Sequence, residues 1–391
     1  MNESAGVKAT DYYDQDTFSR IKAFADTQQT PFVVIDIATI DRQYDELVGL
    51  FPYAKVYYAV KANPAPEILE RLDEKGSNFD IASVYELEKV LKQGVDPSRI
   101  TYGNTIKKSS DIRTFYEKGV RLYATDSEAD LRNIAKAAPG SKIYVRILTE
   151  SLLSADWPLS RKFGCQNDMA MDLLILARNL GLVPYGVSFH VGSQQREIGA
   201  WDEALGKVKV IFERLRDEDG IELKMINMGG GFPANYITRT NDLATYAQEI
   251  TRFIEEDFGP DFPEIIIEPG RSLISNAGVL VSEVVLISRK SRTALYRWVY
   301  TDVGLFSGLI ETLNEAIKFP IVTEKKGETE EVVIAGPTCD SADIMYENYK
   351  YSLPLNLAIG DRLYWLTTGA YTTSYSAVEF NGFPPLKAYY I

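Results

Sequence analysis

Between Lys55 and Arg271 the chain alternates short β-branched or aromatic runs with amphipathic stretches that often end in glycine, and nothing else in the sequence limits its fold so strongly. The apolar runs are Lys55 to Ala62, Asn78 to Ser83, Ile100 to Asn104, Leu122 to Asp126, Lys142 to Leu148, Gly186 to Gly192, Met225 to Gly231 and Glu264 to Pro269. Strand-like runs that take turns with helical ones predict parallel β/α units. Ala65 to Lys75 places Ile68, Leu69 and Leu72 on one helical face, and Val84 to Gln93 does the same with Leu87, Val90 and Leu91. Gly76, Gly94 and Gly119 stand where a left-handed residue closes a helix. Eight such units close into an α/β (β/α)8 TIM barrel, expected over residues 37–277.

After the barrel the pattern changes. Gly278 to Arg289, Tyr296 to Asp302, Glu331 to Gly336, Arg362 to Thr368 and Lys387 to Ile391 read as strands with little helix between them. That predicts a separate all-β sandwich domain over 1–36 and 278–391, with Thr30 to Asp36 adding a strand from upstream. Two domains also suit a chain of 391 residues. Thr149 to Gly164, which mixes Ser, Asp, Pro and Arg, reads as a loop beside the barrel mouth.

Bulk properties exclude several classes of function. A formal net charge of −13 argues against a nucleic-acid surface, which needs clustered basic residues, and favours a cationic small molecule. No apolar run approaches a membrane span, and Met1 to Lys8 lacks the apolar core of a secretory signal, so the expected location is the cytoplasm. Cys165 and Cys339 are too few for a disulfide framework, and with His190 as the only histidine no metal site is expected. Cys165 reads as a buried small hydrophobe.

Alternate residues of a barrel strand point inward, and Lys61, Asp80, Arg146, His190 and Glu268 all pass that test near the ends of their runs. Each has apolar neighbours of the opposite parity, so five polar groups are expected to converge on the C-terminal rim, where barrels place their chemistry. Independent structural salt bridges are the competing explanation. An amine such as that of Lys61, at the end of an apolar run, suits attack on a carbonyl. Gly229-Gly-Gly231 exposes backbone N–H groups that suit a phosphate, with Ser193 and Glu268-Pro269-Gly270-Arg271 close by in the predicted rim. Pyridoxal 5'-phosphate would use all of these: a lysine for its aldehyde, donors for its phosphate, His190 on its ring face and Glu268 on its ring nitrogen.

Tyr58-Ala-Val-Lys-Ala-Asn63, Phe79-Asp-Ile-Ala-Ser83, Ser188-Phe-His-Val-Gly-Ser193, Gly229-Gly-Gly-Phe-Pro233, Glu268-Pro-Gly-Arg271, Gly336-Pro-Thr-Cys-Asp-Ser341 and Gly369-Ala-Tyr-Thr372 together resemble the ornithine decarboxylase branch of the pyridoxal-phosphate group IV decarboxylases. The resemblance runs in order from about Thr30 to the end of the sequence. It implies an alanine-racemase-like barrel with a β-sandwich, and a head-to-tail homodimer with shared active sites. It implies that Lys61 carries the cofactor, His190 stacks on the ring and Glu268 meets its nitrogen. Ser193, Gly231, Gly270, Arg271 and Tyr371 would hold the phosphate, Pro269 would also contact the cofactor, and Asp80 and Arg146 would support it. Cys339 of the partner subunit would be the proton donor, and Asp340 beside it would bind the distal ammonium of the substrate, with Tyr371 near.

The implied reaction converts L-ornithine to putrescine in polyamine biosynthesis. The sequence departs from the resemblance at Asn314, where a second distal-amine carboxylate is expected; Glu311 and Asp302 are candidate substitutes. A looser contact there leaves room for L-lysine, since one methylene discriminates by only about 1–3 kcal/mol. Diaminopimelate decarboxylation is disfavoured by Asp340, racemisation by Glu268, and a non-catalytic regulatory role by the presence of both Lys61 and Cys339.

Overall fold

The computed structural model describes residues 6–149, 155–157 and 162–391. Parts of the loop expected over Thr149 to Gly164 lie outside the described residues. Ala155–Trp157 within it form a short strand paired antiparallel with Ser193–Gln195.

All eight expected barrel strands are present: Ala54–Ala59, Asn78–Ile81, Ile100–Tyr102, Leu122–Thr125, Lys142–Arg146, Val183–Ser188, Met225–Asn227 and Glu264–Ile267. Each pairs in parallel with the next, and the eighth returns to the first, as Ile265 opposite Ala54 shows. Tyr57, Ala124, Tyr144, Met225 and Ile266 fill part of the interior. The buried Tyr144 hydroxyl is satisfied at 2.9 Å by Thr101 Oγ1, as a phenol in an apolar core requires.

The strands stop one to four residues short of where the apolar runs end, and this corrects the parity argument. Asp80 and Arg146 do lie on strands, but Lys61 sits in a 3-10 turn over Val60–Ala62. His190 and Glu268 follow the sixth and eighth strands rather than belonging to them. The apolar runs continue past the hydrogen-bonded ladder because the rim turns are themselves buried: Val60 and Ala62 are both fully covered. Nearby, the completely buried Lys107 uses its ammonium on the carbonyls of Asn104 and Ala124 and on Asp130 Oδ2, at 2.9, 2.7 and 2.7 Å. That ties the loop after the third strand to the fourth strand and to the helix Glu128–Ala137 that follows it, with every ammonium hydrogen committed.

The second compact unit combines the described part of Met1–Gln43 with Ala234–Thr240 and Arg271–Ile391; the barrel unit is Tyr44–Pro233 with Asn241–Gly270. Its sheet is mostly antiparallel and branches at the long strand Gly278–Ser288. The first half of that strand pairs with Arg362–Leu366 and Phe32–Ile35. After an irregularity between Val284 and Leu286, the second half pairs with Arg297–Thr301. Tyr346, on a strand of one branch, stacks 6.3 Å from Trp365 on the other, so the branches share a core as sandwich layers do. Strand Ile344–Pro354 was not expected from the sequence, because its Glu347, Asn348 and Lys350 interrupt the apolar pattern.

Candidate active site

On the barrel rim, charge is concentrated around Asp80. Its carboxyl is fully buried and pushed well above the usual carboxylate range, first by desolvation and then by the Glu268 carboxylate, against the opposing pull of Lys61 and Arg146. Asp80 Oδ1 makes no hydrogen bond, a cost that folds rarely tolerate outside functional sites. Room for that carboxylate comes from Gly103, where a Cβ would stand 1.9 Å from Oδ1. Arg146 ends the fifth strand with its guanidinium 5.0 Å from the Phe163 ring. Its pKa is lowered by burial, with Glu268 and Asp80 pulling the other way.

His190 is neutral at physiological pH. Burial holds its pKa well below the ordinary value, helped by the nearby Arg146 and Lys61 charges. Nδ1 accepts a hydrogen bond from the Gly192 N–H at 3.0 Å, which places the ring proton on Nε2. The glycine loop runs beside this nitrogen. A Cβ on Gly230 would lie 2.6 Å from the Glu268 carbonyl oxygen and 3.5 Å from His190 Nε2, and Gly231 adopts a left-handed φ of 103° with its Cβ position 2.7 Å from the Gly192 carbonyl. A side chain at Gly230 would fill the space beside the imidazole, and one at Gly231 would press on Gly192 and Val191. Pro269 and Gly270 are buried behind Glu268; a Cβ at Gly270 would press on Ala62 at 3.0 Å. Ser193 is half-buried at the start of its short strand.

Within the sheet unit, Arg271 is buried and clamped by Glu311 through two hydrogen bonds of 2.7 and 2.5 Å. Its guanidinium also donates to Tyr236 Oη at 2.8 Å and lies 4.9 Å from the Tyr371 ring, which itself has a left-handed φ of 56°. Desolvation acts to lower the pKa of Arg271, but Glu311 outweighs it and holds the group firmly charged. Glu311 is therefore committed to an arginine and is not the missing distal carboxylate. Asp302 is also committed elsewhere, accepting from the Glu283 N–H at 2.8 Å. Asn314 is exposed, with a left-handed φ of 55°.

Cys339 and Asp340 stand exposed on a turn. Asp343, buried behind them, accepts from the Thr338 N–H at 3.0 Å, from Thr338 Oγ1 at 2.7 Å and from the Leu305 N–H at 2.8 Å. The Cys339 N–H donates to Asn381 Oδ1 at 2.7 Å, and Asp340 Oδ1 accepts from the Ala342 N–H at 2.8 Å. The turn is thus pinned from both sides while its two reactive side chains face outward. Cys165, by contrast, is buried and its thiol is pushed up to about 12, mainly by desolvation, in keeping with a structural role.

Residues 37–275 match the family described as pyridoxal-dependent decarboxylase, pyridoxal binding domain. The chain belongs to the pyridoxal-dependent decarboxylases. Among relatives, it is 34% identical to the lysine/ornithine decarboxylase of Selenomonas ruminantium, over 93% of this chain and 90% of that one. It is 31% identical to antizyme inhibitor 2 of Xenopus laevis, over 92% of this chain and 80% of that one. The crystal structure of a lysine/ornithine decarboxylase from Vibrio vulnificus, complexed with cadaverine, superposes with a TM-score of 0.87 at 27% identity, covering 97% of this chain and 99% of that one.

The barrel rim of this decarboxylase suits pyridoxal phosphate on its own chemistry: a primary amine, an unpartnered buried carboxylate oxygen, a neutral imidazole and a loop kept clear of side chains stand together. Three residues that shape the decarboxylase were not singled out in the sequence. Glu86 is largely buried, accepts from the Ala82 N–H at 2.7 Å and lies in the field of Lys61, with its pKa raised by burial. Asp343 was hidden as one acidic residue among several, although Gly304 and Gly336, whose Cβ positions both stand 2.2 Å from its Oδ1, were its trace. Asn227, the third, donates to Glu268. Among the described residues no helix is long and apolar enough to cross a membrane, and no group of His, Cys, Asp or Glu could hold a metal ion.

Proposed function

We propose that this decarboxylase converts L-ornithine to putrescine and accepts L-lysine as a second substrate. The observation that carries the reading is the rigid turn that presents Cys339 and Asp340 side by side, a proton donor next to a single carboxylate for a distal ammonium. With Glu311 and Asp302 both committed elsewhere, the amine is gripped from fewer sides, so a chain one methylene longer is excluded by little more than about 1–3 kcal/mol. The Vibrio vulnificus relative crystallised with cadaverine supports the same breadth.

Pyridoxal phosphate, when bound, supplies an aldehyde for the amino group and a ring that takes up the electron pair left as CO2 departs. Lys61 would hold the aldehyde carbon in the resting enzyme, and the Glu268 carboxylate would keep a proton on the ring nitrogen. The neutral His190 ring would cover one face and exclude water. Gly231, Ser193, Gly270, Arg271 and Tyr371 would bind the phosphate, Arg271 with its geometry fixed by Glu311. Asp80 and Arg146, each in the other's field, would support the cofactor and Lys61. The Cys339 thiol would return a proton to the substrate α-carbon.

A thiol that delivers a proton selectively must be shielded from water, and Cys339 of a single chain is exposed. A homodimer with shared sites resolves this: Cys339 of the partner subunit completes the site built on Lys61. Cys339→Ala should retain cofactor absorbance and lose amine formation by about 10²–10⁴-fold. Mixed with Lys61→Ala protein and allowed to exchange subunits, it should regain about a quarter of wild-type turnover, because random pairing leaves one intact site in half the dimers. No recovery after demonstrated exchange would refute the shared site.

CO2 release from ornithine, lysine, arginine and diaminopimelate, measured side by side, tests the substrate assignment. Ornithine and lysine should lie within about 200-fold of each other in kcat/KM. Arginine or diaminopimelate as the best substrate would overturn it. The likeness to antizyme inhibitor 2 supports a second reading, a regulatory protein, and release from none of the four would favour that one.

A further inference from the structure

Asn227 closes the seventh barrel strand and is 1% exposed. Its side chain joins two parts of the rim. Oδ1 accepts from the Gly229 N–H at 2.8 Å, and Nδ2 donates to Glu268 Oε1 at 2.5 Å. The amide cannot be turned the other way: a backbone N–H only donates, so the atom facing Gly229 must be the oxygen and the atom facing Glu268 the NH2 group. A second link runs parallel to it, from the Glu268 N–H to the Gly229 carbonyl at 2.7 Å.

On the reading given above, Glu268 serves the ring nitrogen and the glycine loop serves the phosphate, at opposite ends of the cofactor. We infer that Asn227 is the positioning residue that couples these ends, setting the Glu268 carboxylate and the Gly229-Gly230-Gly231 loop with one amide. Its two arms are chemically distinct, an acceptor toward the loop and a donor toward the carboxylate, so they can be removed separately.

Asn227→Ala removes both arms. Asn227→Asp keeps an acceptor for the Gly229 N–H but replaces the donor with a carboxylate facing that of Glu268. Glu268 already lies in the field of Tyr57 on the first strand, Asp80 on the second, and Tyr144 and Arg146 on the fifth. An added negative charge there favours protonation of its surroundings.

The test titrates cofactor-stripped protein with pyridoxal phosphate and with pyridoxal, which lacks the phosphate, and follows the visible absorbance of the bound cofactor against pH. Asn227→Ala should lower the preference for pyridoxal phosphate over pyridoxal by about tenfold or more. Asn227→Asp should leave that preference within about threefold of wild type and raise the pH midpoint of the absorbance by about one unit. A merely structural role would weaken both ligands in parallel and move neither the preference nor the midpoint; that result would overturn the inference. Asn227→Ser, with the same expectation as the alanine variant, replaces it if circular dichroism shows the latter unfolded. Wild-type protein that fails to bind pyridoxal phosphate would instead sink the reading of the site itself.

Discussion

Lys61→Ala protein, saturated with pyridoxal phosphate and reduced with borohydride, is expected to carry no pyridoxyl label, whereas the wild type carries one on the peptide containing Lys61. The visible absorbance of the bound cofactor should vanish with it, and turnover should fall on the order of 10⁴-fold, because the amine that would hold the cofactor's aldehyde is lost. The structure makes the assignment selective. Lys61 is itself exposed, between the buried Val60 and Ala62, and lies beside Asp80, Glu86 and His190. Lys107, also on the loops at this end of the barrel, is completely buried with its hydrogens spent on two carbonyls and Asp130. A label on Lys107, or on no lysine of the wild type, would refute the role of Lys61.

Glu311→Ala should destabilise the protein by about 3–5 kcal/mol in the absence of ligand, since it strands the Arg271 charge in an interior where both side chains are only 3% exposed. Denaturant unfolding of the stripped protein measures this. If Arg271 receives the cofactor phosphate, saturating pyridoxal phosphate or inorganic phosphate should recover more stability in the variant than in the wild type, because the anion replaces the lost carboxylate. Equal recovery in both proteins would remove Arg271 from the phosphate site, and an unchanged unfolding midpoint would contradict the buried pair altogether.

The number of barrel strands was legible because each apolar run is continuous and each is bounded by glycine or a polar turn. Lys61, His190 and Glu268 were legible for a slightly different reason than alternation: they stand just beyond the strands, where rim turns keep an apolar lining around one polar group. What the sequence could not show is pairing between distant residues. Arg271 and Glu311 are 40 positions apart, as good a match on paper as many other opposite charges, and only the fold makes Glu311 a clamp rather than a substrate contact. Asn227 was silent for the same reason: its partner Glu268 lies 41 positions on. The strand Ile344–Pro354 was hidden by its own charged residues, some of which face solvent.

The pairing of Phe32–Ile35 bears on how the molecule is made. Val33 lies opposite Leu280 on one side and Ala388 on the other. During translation this segment leaves the ribosome early, yet its first neighbour emerges only after the whole barrel, and its second later still. At roughly 5–20 residues per second, a strongly apolar stretch waits on the order of tens of seconds before its partner strands emerge. Chaperone demand in the cell should therefore track synthesis of this sheet, and slow codons placed late in the message would prolong the period in which the nascent protein is open to aggregation.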